Sequence, residues 1–142
     1  MKKYALPNME FSFSIQVMGE ESGMNWVGDF KYKRPTLMDR SLIAVMRAQL
    51  NGDLFTVDTA AQKINEALAH LKFTIFEAPE WWTESKSGAE LYDQNVILEI
   101  YNKCVEFEAN WKKKIHSGNA EDVEVGGETS KSSKASAKPG SR

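Results

Sequence analysis

Five carboxylates, Glu77, Glu80, Glu84, Glu90 and Asp93, gather around the sequence Ala78-Pro79-Glu80-Trp81-Trp82. Paired carboxyls can act as acid and base, or acid and nucleophile, on a glycosidic bond, so residue type alone admits a small hydrolase here. Glu90 and Asp93 are accounted for without chemistry, one as a capping residue and the other by its place near a helix start. Cys104 is a thiol on the apolar stripe of a helix, where burial raises its pKa and makes it inert. His70 lies beside the Leu68/Leu71 face of a helix, and His116 falls at a helix end. Neither stands in an H-x-x-x-H, H-E-x-x-H or C-x-x-C frame, so no zinc site is expected. G-x-S-x-G, Walker A and G-x-G-x-x-G are missing as well. The expectation is no catalytic residue, no cofactor and no metal.

The chain is better equipped for contact. Large aromatics mark interfaces because they supply area at low entropic cost. Trp26, Tyr32, Trp81, Trp82 and Trp111 are therefore the candidate protein-binding residues. Adjacent tryptophans on a loop point different ways, so one of Trp81 and Trp82 plugs the core while the other stays available. The alternative is that both close a helix–helix corner. Stacking on a base is open to tryptophan, but the acidic surroundings argue against nucleic acid. Lys112-Lys113-Lys114 reads as a solvated helix end whose charges complement the dipole.

The positioning elements follow from periodicity. Glu10 to Val17 alternates strictly, with Phe11, Phe13, Ile15 and Val17 on one face, and predicts a half-buried strand. A turn at 19–23 leads to a second strand, Met24 to Lys33, and the two form an antiparallel hairpin. Gly28 interrupts the apolar stripe, which implies a bulge or a close backbone approach. Lys31 and Lys33 suit a sheet edge. A first helix opens at Thr36 with Asp39 three residues on. It carries Met38, Leu42, Val45, Met46 and Gln49 or Leu50 at helical spacing and stops at Asn51-Gly52. Leu54 and Phe55 are expected to pack back on the core. Thr59 and Gln62 form a capping box for a second helix, which bears Ile64, Ala67, Leu68, Leu71 and Ile75 and ends near Glu77 before Pro79. A Pro79–Lys86 loop follows. Ser87 and Glu90 form another box for a third helix from about Gly88 to His116, with Gly118 as its stop.

With 142 residues, 42% of them apolar and 27% charged, the chain fits one domain. The fold class is α+β: an N-terminal antiparallel β-hairpin packed on about three helices over residues 1–118. Residues 119–142 contain no aromatic, Leu, Ile or Met and read as a disordered low-complexity tail. A net charge of −2 gives no long-range pull toward nucleic acid or anionic membrane. No apolar run reaches membrane-spanning length, and Met1-Lys2-Lys3 is followed by no apolar signal region. The single cysteine excludes an internal disulfide.

Three stretches together resemble small accessory proteins of tailed-bacteriophage structural gene clusters. They are Trp26 to Lys33 running into Pro35-Thr36-Leu37-Met38-Asp39-Arg40, the Ala60-Ala61…Leu68…Leu71 helix, and Pro79-Glu80-Trp81-Trp82 with Gly88, Leu91, Asp93, Asn95-Val96-Ile97 and Ile100-Tyr101. The plan is similar to that of tail assembly chaperones, small acidic proteins that hold a tape-measure protein soluble while the tail tube forms. The resemblance implies a non-enzymatic role through protein–protein contact in the host cytoplasm. A head, neck or tail accessory protein of the virion fits the same residues. In either case the implied partners are phage structural proteins, a tape-measure or other tail or head protein, and self-association into a homo-oligomer is compatible with both.

Overall fold

A computed structural model describes residues 9–52 and 58–125, with side chains through residue 116. The alternating stretch forms β1 (Glu10–Met18), which pairs antiparallel with β2 (Asn25–Lys33) in continuous register from Glu10↔Lys33 to Met18↔Asn25. Met24 belongs to the turn, its carbonyl accepting from the Gly19 N–H at 2.8 Å. Ile15, Phe30 and Tyr32 carry the apolar face into the core. The α+β expectation holds, with one strand more than the hairpin.

That strand is β3 (Ile75–Glu77), which adds to the other side of β2 in the order β1-β2-β3. The second helix was expected to run on to Glu77. It is α2 (Thr59–Thr74), and Ile75 leaves it in extended geometry. Ile75-Phe76 is a β-branched–aromatic pair two residues before Ala78, which Pro79 already forces to be extended. The ladder to Tyr32 and Lys31 then captures the segment. This makes β2 the central strand, so Lys31 is no edge guard. Its ammonium instead meets Glu77 across the ladder at 3.6 Å. Lys33 meets Asp39 at 3.4 Å.

Gly28 has the close approach its place in the stripe implied. A Cβ there would overlap the Pro79 ring. The chain leaving β3 thus lies directly on the β2 backbone.

The first helix, α1 (Leu37–Asn51), opens as expected, with Thr36 and Asp39 capping one another reciprocally. Its predicted apolar stripe does not face the core. Ile43 is the buried apolar residue and packs toward α2, while Met38, Leu42 and Val45 are exposed. Asn65 Nδ2 donates to Asn51 Oδ1 at 2.7 Å and ties the helix end to α2. Leu54 and Phe55 lie outside the described residues. The cap of α2 is also one residue earlier than expected. Asp58, not Thr59, accepts from the Ala61 N–H at 2.7 Å. Aspartate is preferred to threonine as the cap at a helix N-terminus.

Trp81 and Trp82 do not lie on a loop. They belong to a short helix, α3 (Glu80–Glu84), with Pro79 as its N-cap residue. The Ser87/Glu90 box does not form either. Ser87 and Gly88 have φ of 57° and 88°, left-handed values that no helix start can carry. Glu90 pairs with Lys86 at 3.0 Å instead. The last helix, α4, begins later and runs further, Gln94–Val125. Gly118 does not stop it. Of the expected tail, 119–125 continue the helix and 126–142 lie outside the described residues.

The chain divides into two units, the first ending at Glu106 and the second beginning at Phe107. The core of the first joins the sheet residues to Ala67 and Leu71 of α2, Trp82 of α3 and Val96, Ile97, Ile100 and Cys104 of α4. In the second, the Phe107 and Trp111 rings lie 6.2 Å apart.

Candidate functional site

The carboxylates do not converge. Glu77, Glu80, Glu84 and Glu90 are exposed, and two of them are spent on ion pairs. Asp93 is fully buried and saturated. Its Oδ1 accepts from the Glu21 N–H at 2.7 Å and the Ser22 N–H at 2.9 Å. Its Oδ2 accepts from Ser22 Oγ at 2.6 Å and from Trp26 Nε1 at 2.8 Å. Gly19 makes room for it, since any Cβ at that position would overlap the carboxylate. The Ser22 hydroxyl bond leads a set that holds the acid down at about 2. Asp93 is thus the clasp that ties the hairpin turn to the start of α4. Asn95 doubles it, accepting from the Glu20 N–H at 3.1 Å and donating to the Met18 carbonyl at 2.8 Å.

The tryptophans are placed unequally. Trp82 is buried edge-on against Phe30, with centroids 5.5 Å apart. Trp81 is half-buried and 4.8 Å from Trp26, and its Nε1 donates to the Val27 carbonyl at 3.0 Å. Tyr32 is wholly buried, its hydroxyl 3.0 Å from His70 Nε2. Of the five predicted contact residues, Tyr32 and Trp82 therefore spend their surface inside the chain. Trp26 and Trp81 form one half-exposed aromatic pair. Trp111, half-buried, lies in the second unit away from the others in sequence.

His70 is half-buried, with its ring between those of Tyr32 and Tyr101. Burial, then the Glu66 carboxylate accepting its hydroxyl at 3.2 Å, pushes Tyr101 up to about 12. Cys104 is buried. Among the described residues no three His, Cys, Asp or Glu side chains group as a metal site requires. An open groove of about 900 Å³ crosses Ser12, Ser14, Asp29 and Lys31 to Phe76 and Pro79. Within it, Ser14 Oγ donates to Asp29 at 2.5 Å and Lys31 pairs with Glu77.

The surface that sequence reasoning missed is the outer side of α1. Met38, Ser41, Leu42, Val45, Ala48 and Gln49 fall on one side at 3.6 residues per turn, and all are exposed. Met38 is 68% and Val45 56% exposed, and neighbouring Leu37 reaches 83%. The helix's charges, Asp39, Arg40 and Arg47, lie away from this side. A soluble helix ordinarily turns its charges outward. The stripe was visible as periodicity, but periodicity does not say which of two apolar arcs meets the core.

Among the described residues no helix is long and apolar enough to cross a membrane. Comparison with known proteins gives no matching family model, no matching curated protein and no matching solved structure.

Proposed function

We propose that this chain is a non-enzymatic assembly factor that acts by protein–protein contact in the host cytoplasm, in the manner of a phage tail assembly chaperone. The observation that carries the reading is the charge-free, exposed apolar side of α1. A helix of this kind receives the apolar stripe of another helix, with side chains at i, i+4 and i+7 as anchors. A tape-measure protein is a long helical client with such stripes to cover. The saturation of Asp93 and the dispersal of the other carboxylates support a contact role over an acid–base one. The phage setting rests on the sequence resemblance of the Trp26–Arg40, Ala60–Leu71 and Pro79–Tyr101 stretches.

The test is co-expression with a tape-measure client. The wild-type chain keeps the client in the soluble fraction, and L42E/V45E, placed on exposed positions, does not. A client that stays equally insoluble beside the wild-type chain overturns the reading. If instead the chain is found in stoichiometric amounts in purified particles, it is a virion component.

A further inference from the structure

The two bonds that close the hairpin ladder fix the direction of every backbone group in β1. The Gly19 N–H reaches the Met24 carbonyl at 2.8 Å, and the Arg34 N–H reaches the Met9 carbonyl at 2.9 Å. In an antiparallel ladder, hydrogen-bonded pairs recur at every second residue. Odd-numbered residues of β1 therefore bond to β2, and the even-numbered ones turn their N–H and C=O to the other edge. Among the described residues no strand pairs with that edge. Toward the turn it is closed, because Asn95 Nδ2 already donates to the Met18 carbonyl. The open stretch is Ser12, Ser14 and Gln16, all three exposed.

This stretch lacks the devices by which edges protect themselves. It has no proline, no bulge and no charge from Ser12 to Val17. It is also self-complementary. Placed antiparallel to a second copy with Ser14 opposite Ser14, Ser12 faces Gln16 and Gln16 faces Ser12. All the outward N–H and C=O groups of the stretch then meet partners. Because the register preserves parity, Phe13 of one copy stands opposite the other's Ile15, itself already buried, on the apolar face. Phe13 is only half-buried within its own chain. We propose that the Ser12–Gln16 edge of β1 pairs with the same edge of a second copy, two-fold about Ser14, joining two three-stranded sheets into one. Such an isologous contact satisfies both copies with a single patch. It is independent of the α1 reading.

Sedimentation equilibrium of the full chain tests it, with circular dichroism to confirm folding. The wild-type chain is expected to sediment at twice its chain mass. S14P removes an N–H that β2 does not use, and should sediment at the chain mass with its fold intact. Should S14P fail to fold, a charge pair decides. S12E/Q16E sets like charges opposite one another twice in the dimer and should weaken association by about tenfold. S12E/Q16K sets opposite charges there and should associate at least as tightly as wild type. A wild-type chain that sediments at its chain mass overturns the proposal. So does an S12E/Q16E variant that associates like wild type, or a folded S12E/Q16K variant that sediments at the chain mass.

Discussion

Asp93 carries one carboxylate into the core and spends all of it on the hairpin, three bonds on the turn and one on Trp26 of β2. Because folding lowers its pKa from 3.8 to about 2, the unfolded chain binds its proton more readily than the folded one. The stabilisation is fully present above pH 4 and is lost as pH falls through about 2. Thermal unfolding from pH 5 to pH 2 should therefore show a steep loss in wild type. D93N, which cannot ionise and forfeits an acceptor, should start from a lower midpoint and lose this part of the slope. Two backbone positions give opposite results. G28A drives a methyl into the Pro79 ring and should cost about 1–3 kcal/mol. S87G relieves a left-handed serine and should gain about 1 kcal/mol, both measured by denaturant midpoints. The gap at Gly28 was legible in the sequence as a break in an apolar stripe. Asp93 was not, because an aspartate ahead of a helix has a local explanation, and its true partners lie some seventy residues back in the chain.

At the scale of elements, the hairpin, the Thr36 start and the Asn51-Gly52 stop could be read from pattern because each is decided by neighbours in sequence. The errors fall where two local solutions compete. Asp58 and Thr59 both suit an N-cap, and the carboxylate wins. D58A should cost about 1 kcal/mol, whereas T59A should cost about 0.5 kcal/mol or less, as read from urea midpoints. Ile75-Phe76 continued a helical period but also suited a strand, and the unfilled side of β2 settled it. The Ser87/Glu90 pattern has the spacing of a capping box. However, Trp82 must pack beside Gly88, where a Cβ would lie 2.7 Å from its ring, and the chain turns left-handed there instead. The outer stripe of α1 obeys the same logic in reverse. Its residues were legible, and their direction was not, because only the docking of α1 on α2 and the burial of Ile43 reveal it. L42E/V45E should cost no more than about 1 kcal/mol in the unfolding midpoint, since both side chains are partly covered but neither is buried.

At the scale of the molecule, the outer side of α1 and the edge of β1, both exposed among the described residues, are surfaces of different kinds. The α1 side offers side chains and no backbone, so a contact there leaves amide bonding unchanged. The β1 edge offers backbone and little side chain, so a contact there is written directly in amide exchange. In separate copies the amides of Phe13, Ile15 and Val17 are bonded to β2 and exchange slowly, while those of Ser12, Ser14 and Gln16 exchange fast. Protection then alternates residue by residue along one strand. Raising the concentration should slow the three outward amides by about tenfold or more, in proportion to the associated fraction, and erase the alternation. The inward amides should be unchanged. A client bound on α1 should slow none of the three. Exchange followed by NMR at two concentrations, with and without a client helix, thus assigns each contact to its surface in a single chain without any substitution.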